Sequence, residues 1–387
     1  MDKKMAVAIT LSMVVAVIAG LAIAKVWLNP QDDPGKDDFE GEWDLVMMYE
    51  AFYADGEPYI GAVEVTMDLG IEKIDEKYYR VILGDSRVVA VSNGDMLMTT
   101  GLDDCDSAYV YPYGDVLVMY ILYESMASFL VFQEEGSEPT EFSREGWGSS
   151  PAGAERTFDA FRAVEVRDGT AIDHMDRGYT LTVLMYEEPF VFYNVSNSEF
   201  SWDYVGLEIM DDYFVAATDL GNQYIVDMVH VDGDVIYTSS YDGLGENEVA
   251  LWCVAYGDPS KERPVDDISY TCKGIDTVYG YGKDGYELRG HQAASLSVTY
   301  QEGNMLILES ETDDGTRLIL GGVIAEEDGG YFALAESYIF TETGMIMCGF
   351  GLCYLPLDGS GPVKIFGIES DLESTYVVFD QEYRILR

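Results

Sequence analysis

From Phe39 onward, apolar and polar residues alternate in short runs. Val63-Glu64-Val65-Thr66-Met67 changes character at every residue, the period of a strand with one wet face. Leu181-Thr182-Val183-Leu184-Met185 and Phe190-Val191-Phe192-Tyr193 flank Glu187-Glu188-Pro189, which predicts a hairpin. Tyr376-Val377-Val378-Phe379 is a short β-rich run near the C-terminus. Val, Ile, Tyr, Phe and Thr recur throughout in runs separated by Gly, Asp, Asn and Pro. Met119 to Phe132 comes nearest to a helical period; we read it as a strand, a turn at Glu124–Ser128 and a second strand. The predicted class is all-β, apart from one helix.

That helix is the uncharged run Met5 to Ala24. Twenty residues rising about 1.5 Å each span roughly 30 Å, the hydrocarbon thickness of a bilayer. It has no polar back, which argues against an amphipathic surface helix. Lys3 and Lys4 precede it, whereas Asp32, Asp33, Asp37 and Asp38 follow Lys25. Positive charge is retained inside, so the expectation is a single pass with the N-terminus inside and the bulk of the chain outside. Residues 5–24 would then contact the lipid bilayer. Ala22-Ile23-Ala24 also fits a signal-cleavage pattern, and cleavage after Ala24 would release the chain as a secreted protein. Residues 29–38, NPQDDPGKDD, read as an acidic linker.

Three landmarks recur in order. Asp-Gly turns stand at Asp55-Gly56, Asp168-Gly169 and Asp284-Gly285. A turn followed by an apolar strand recurs at Asp95-Met96-Leu97, Asp212-Tyr213-Phe214 and Gly330-Tyr331-Phe332. The third set is Gly114-Asp115-Val116, Gly233-Asp234-Val235 and Gly344-Met345-Ile346. The offsets are all close to 115 residues, too long for a solenoid repeat and suited to one β-domain per unit. The expected organisation is therefore an anchor or signal over 1–28, the linker, and antiparallel β-domains at 39–157, 158–272 and 273–387. Each is expected to be a barrel or a sandwich.

The first unit resembles the opening of lipocalin-like β-barrel domains. Gly41 and Trp43 form a G-x-W strand, and Asp55-Gly56 follows. The resemblance implies an up-and-down barrel whose base is closed by that strand. The other two units lack the tryptophan at Phe161-Arg162-Ala163-Val164 and Gly274-Ile275-Asp276-Thr277-Val278, so an interior ligand cavity is not carried over. As a function, the resemblance implies a carrier of a small apolar ligand.

Composition sharpens the picture in two ways. A 48% hydrophobic content with 13% aromatic residues supplies packed cores. A net charge of −49, from 71 acidic and 22 basic residues, excludes a phosphate-tracking surface, so no nucleic-acid partner is expected. The five cysteines contain no C-x-x-C pair. Outside the cell a Cys253–Cys272 bridge is conceivable, and Cys348 and Cys353 would bridge only if Phe350-Gly351 turned.

Candidate chemistry is sparse. His174, His230 and His291 are the only histidines, none in a nucleophile motif, and the sequence has no P-loop. His230 alternates with apolar neighbours and reads as structural. Asp103-Asp104-Cys105-Asp106 and Asp313-Asp314-Gly315 are the calcium candidates, though neither matches the EF-hand loop. Asn194-Val195-Ser196 is a glycosylation sequon expected in an exported loop. The 29 tyrosines suit sheet surfaces and, if exposed, sugar or peptide binding. The sequence leads to a non-enzymatic, membrane-anchored surface protein for recognition, adhesion or envelope structure. Its partner would be a protein or carbohydrate, and no catalytic residue, metal or cofactor is assigned. A carboxylate-dependent hydrolase is the remaining alternative.

Overall fold

The computed structural model describes residues 39–385 except 75–76, 93, 103–106, 114, 124, 138–155, 168–169, 188, 211, 220–223, 246–247, 264–270, 283–284, 313–314, 316, 328–329, 342–343, 357–361 and 371–375. The expected helix at Met5–Ala24 and the linker at 29–38 lie outside the described residues. Among those residues no helix is long and apolar enough to cross a membrane.

The fold is all-β and antiparallel, in three sheets. The first comprises β1 (Gly41–Ala54), β2 (Glu57–Ala62), β3 (Asp68–Lys73), β4 (Tyr78–Leu83), β5 (Ser86–Ser92), β6 (Leu97–Thr99), β7 (Ser107–Tyr113), β8 (Val116–Tyr123) and β9 (Met126–Glu134). One edge of β1 pairs with β9 and the other with β3 and then β2, so β1 and β3–β9 close a ring of eight strands. The second comprises β10 (Arg156–Arg167), β11 (Thr170–Asp173), β12 (Thr180–Glu187), β13 (Phe190–Ser196), β14 (Ser201–Met210), β15 (Tyr213–Asp219), β16 (Tyr224–Asp232), β17 (Val235–Gly245) and β18 (Glu248–Gly257). It closes the same way, with β10 pairing to β12, β11 and β18. The third is a closed barrel of β19 (Thr271–Gly282), β20 (Gly285–Glu302), β21 (Met305–Thr312), β22 (Arg317–Glu327), β23 (Gly330–Thr341), β24 (Gly344–Pro356), β25 (Pro362–Ser370) and β26 (Tyr376–Ile385). Here the 18-residue β20 covers in one strand what β2 and β3 cover separately.

Local sequence explains the elements. Asp55 and Gly56 both have positive φ, 53° and 84°, joining Ala54 to Glu57 by the two-residue turn that matches strand twist. Trp43 lines the first ring, 6% exposed, and its indole N–H donates to the Phe39 carbonyl at 3.2 Å. Phe39 in turn meets Tyr79 edge-on at 5.8 Å. The eight-stranded antiparallel barrel is consistent with the up-and-down barrel that the resemblance implies. Its interior is filled by Trp43, Leu69, Val81, Leu117, Met119 and Phe132 among others, as an eight-stranded ring is just wide enough to allow.

The strands that read as continuous apolar runs are buried on both faces. In β8, Leu117, Met119 and Ile121 face the first barrel's interior, while Val116, Val118 and Leu122 join a second cluster outside it. That cluster also takes Phe192, Val205, Leu207, Val215, Met228 and Tyr237 from the outer face of the second barrel. The barrels thus share an apolar seam, with β8 and β9 packed on β14. The third barrel packs through β22 on β16 and β17, and through β25 and β26 on β5, so each barrel meets both others. Two glycines permit the close approach on the third barrel's side. A Cβ on Gly321 would sit 2.6 Å from the Leu251 methyls. Gly303, at φ +58°, would bring one within 2.6 Å of Arg162 Nη1.

Several expectations are corrected. Cys253 is a buried thiol on β18, 3.9 Å from Ser239 Oγ, rather than half of a bridge to Cys272, which lies on β19 of the next barrel. β24 runs straight through Phe350-Gly351, so the condition set for a Cys348–Cys353 bridge is not met, and Cys353 is a buried thiol. The sequon is in a strand, where the Asn194 amide donates to Ser201 Oγ and Asp203 Oδ1 at 2.9 and 2.8 Å. Gly114-Asp115 and Gly233-Asp234 join β7 to β8 and β16 to β17, but Gly344 begins β24 and belongs to a different connection.

Candidate functional site

The calcium candidate Asp103-Asp104-Cys105-Asp106 lies outside the described residues, as do Asp313 and Asp314. Among the described residues no three His, Cys, Asp or Glu side chains could hold a metal. His230 is packed between Tyr213, stacked at 4.4 Å, and Tyr237 on the outer face of the second barrel. Burial holds its pKa down at about 4, so the ring is neutral. This is a seam residue. Glycan or peptide recognition needs exposed groups, and two places on the described surface supply them.

One is the mouth of the second barrel. Asp173 accepts from the Met175 amide at 2.8 Å, starting a single 3-10 turn at Met175–Arg177 that ends on left-handed Gly178. That turn and its N-cap carry Arg177 and His174 across the barrel end. His174 Nε2 lies 2.8 Å from Glu165 Oε2, and Arg167 Nε donates to the other oxygen of the same carboxylate, which is 3% exposed. The imidazole rests on Trp252 at 4.8 Å, and the Arg177 guanidinium lies over the same indole at 5.6 Å. Phe200 and Trp202 stack beside it at 3.8 Å. The arrangement is an aromatic shelf edged by Arg177 and Glu199, which are 3.6 Å apart.

Below the mouth a carboxyl and several tyrosines are set among the apolar side chains that fill the second barrel. Asp227, 3% exposed, accepts from Tyr193 O–H at 3.0 Å, and Tyr193 stacks on Tyr204 at 4.9 Å. Burial pushes the Asp227 carboxyl up to about 7, and burial likewise raises Tyr193 and Tyr256. Sequence reasoning missed this group. The available signal was phase: Asp227 shares its face with Val229, which lines the barrel.

The other place is a groove of about 390 Å³ on the outside of the first barrel, lined by Leu45–Met48 and Val63–Thr66. The register of β1 against β9 slips between Leu45 and Met47, so Val46 is an extra residue and turns outward. Val46 and Val65, each 44% exposed, face solvent here. Two backbone hydrogen bonds of 3.0 Å bracket the groove, Leu45 N to Met67 O and Val63 N to Met48 O.

No family model matches the chain, and no curated protein does either. Among solved structures it is similar to a protein of unknown function from Nostoc punctiforme, with 10% identity over 58% of this chain and 94% of that one, at a TM-score of 0.27. It is also similar to a transferrin binding protein B from Haemophilus parasuis, with 9% identity over 89% of this chain and 75% of that one, at a TM-score of 0.23. For the transferrin binding protein B of Neisseria meningitidis the figures are 12%, 89%, 77% and 0.21. Scores and identities this low carry no functional argument, which rests on the residues above.

Proposed function

We propose that the chain is a tethered, extracytoplasmic recognition scaffold that binds a protein or carbohydrate on the outer surfaces of its barrels and catalyses no reaction. The tether is the Met5–Ala24 run, with Lys3 and Lys4 inside, and the acidic bulk is outside; cleavage after Ala24 would make the same scaffold secreted. The three sheets are read as copies of one unit. The observation that carries the reading is the distribution of apolar side chains. The first barrel's interior is packed with its own residues, while Val46 and Val65 are left exposed beside an external groove. We read these two exposed valines, set beside a concavity of mainly polar lining, as the contact site. The carrier reading places the ligand inside a ring instead.

Binding of the full-length chain, in neutral detergent, to arrays of glycans and of peptides tests the proposal. Saturable binding reduced by substitution at the groove or at the shelf of the second barrel supports it. Binding indifferent to both sets of substitutions overturns it.

A further inference from the structure

The groove of the first barrel has a counterpart in the second, and the comparison indicates what it lacks. On β10 the two bracketing hydrogen bonds recur at 2.9 Å, Ala160 N to Tyr179 O and His174 N to Ala163 O. Ala160 and Ala163 stand 115 residues after Leu45 and Met48. The register of β10 slips at the same place, between Ala160 and Arg162. There, however, the residues differ. Phe161 stands where the first barrel has Val46, and the bracketed segment coils into the 3-10 turn that bears Arg177. In the first barrel the bracketed segment is Val63-Glu64-Val65-Thr66-Met67, one residue shorter and without a cation.

Charge around the groove is one-sided. Between Phe39 and Glu72 the chain has nine acidic residues and no Lys, Arg or His. Asp44 and Asp68 are direct cross-strand partners at the groove's edge, and both are exposed. Like charges placed opposite each other on a sheet are destabilising and are relieved by a cation between them. Among the described residues no basic side chain pairs with either of them or with Glu64. The exposed lining of the groove is otherwise mainly polar, and Val46 and Val65 are its two exposed apolar side chains.

We propose that this groove receives an extended, basic polypeptide segment from a partner protein. An aliphatic side chain of that segment enters against Val46 and Val65, and flanking Lys or Arg residues meet Asp44, Asp68 and Glu64. The inference rests on the recognition reading and names the partner's chemistry. The −49 charge of the chain adds long-range steering toward such a segment, which acts on association rate and weakens with salt.

The test uses the full-length chain in neutral detergent and a fluorescein-labelled octapeptide of alternating Lys and Val, read by fluorescence polarisation. An alternating Glu-Val octapeptide is the control. Val46→Phe puts into the groove the residue type that stands at the matching position of the second barrel, and Asp44→Asn with Glu64→Gln removes two of the three charges. Each is expected to weaken the Lys-Val peptide at least tenfold while leaving the thermal transition in place; the charge variant also relieves repulsion, so it remains informative if Val46→Phe fails to fold. Binding of the Lys-Val peptide within twofold of the unaltered chain in both variants would show attraction to diffuse charge alone and overturn the proposal. Labelling of whole cells with a membrane-impermeant amine reagent separates the two levels. A labelled chain that ignores the peptide loses only the groove, whereas an unlabelled one loses the recognition reading.

Discussion

Replacing Asp227 by Asn isolates the buried carboxyl of the second barrel whose pKa burial raises. The group is 3% exposed and bonded to Tyr193 at 3.0 Å, and burial raises its pKa from 3.8 to about 7. A raised folded-state pKa means the folded chain holds this proton more tightly than the unfolded one. Its contribution is therefore most favourable below pH 3.8, declines as pH rises toward 7, and is flat above that. At about 1.4 kcal/mol per pKa unit the decline totals about 4 kcal/mol. His230 works in the opposite direction: burial lowers its pKa from 6.5 to about 4, so stability falls as pH drops from 6.5 to 4, by about 3 kcal/mol. The unaltered chain alone would show a partly cancelled profile, and the difference between chain and variant removes the His230 share. Asn keeps an acceptor for Tyr193 but adds an N–H whose burial without a partner costs about 1–3 kcal/mol. Asp227→Asn should therefore be more stable at pH 8 by about 1–3 kcal/mol and less stable at pH 4 by a similar amount. Urea unfolding followed by tryptophan emission, at pH 4 to 8, measures this, since Trp202 and Trp252 sit in the same barrel. A difference curve that stays flat across that range refutes the assignment of a buried, proton-holding Asp227.

Other substitutions probe the packing. Trp43→Ala should cost about 3–5 kcal/mol, seen as a lower denaturation midpoint, because it empties the base of the first barrel. Arg162 donates to Glu262 at 2.6 Å and lies 3.1 Å from Glu302, joining the second barrel to the β20–β21 turn of the third. Arg162→Ala leaves the half-buried Glu262 uncompensated, with an expected loss of about 1–3 kcal/mol and faster hydrogen exchange at β20 and β21. Gly321→Val pushes a side chain into Leu251 at the same seam, which should cost about 1–3 kcal/mol and leave the first barrel's exchange unchanged.

The strands were legible wherever turn chemistry punctuates them. Asp55-Gly56 falls between β1 and β2, and β12 ends at Glu187 where β13 begins at Phe190. The break within Met119–Phe132 falls between the end of β8 at Tyr123 and the start of β9 at Met126. Periodicity was blurred in β8 and β9 for a physical reason: a strand with a barrel interior on one side and a neighbouring barrel on the other needs no polar face. Sequence left open whether Phe350-Gly351 turns, because glycine at the centre of a strand gives no pattern; Gly351 pairs with Ala335 and Gly367 within the ladder. The groove was invisible for a related reason. Val63 to Met67 alternates like a strand, yet only its two ends bond to β1, and the exposure of Val46 follows from a register slip that sequence does not announce. Asp227 was legible by phase alone, as a charge in step with Val229.

The central claim is that binding takes place on the outside of the first barrel, whose interior is filled by its own side chains. Trp43, buried in the first barrel, reports on it directly. A chain in which Trp27, Trp147, Trp202 and Trp252 are replaced by Phe retains that single emitter, and a brominated fatty acid quenches only an indole it touches. Titration should leave Trp43 emission unchanged to saturating probe. Stoichiometric quenching would place an apolar ligand inside the ring and contradict the account.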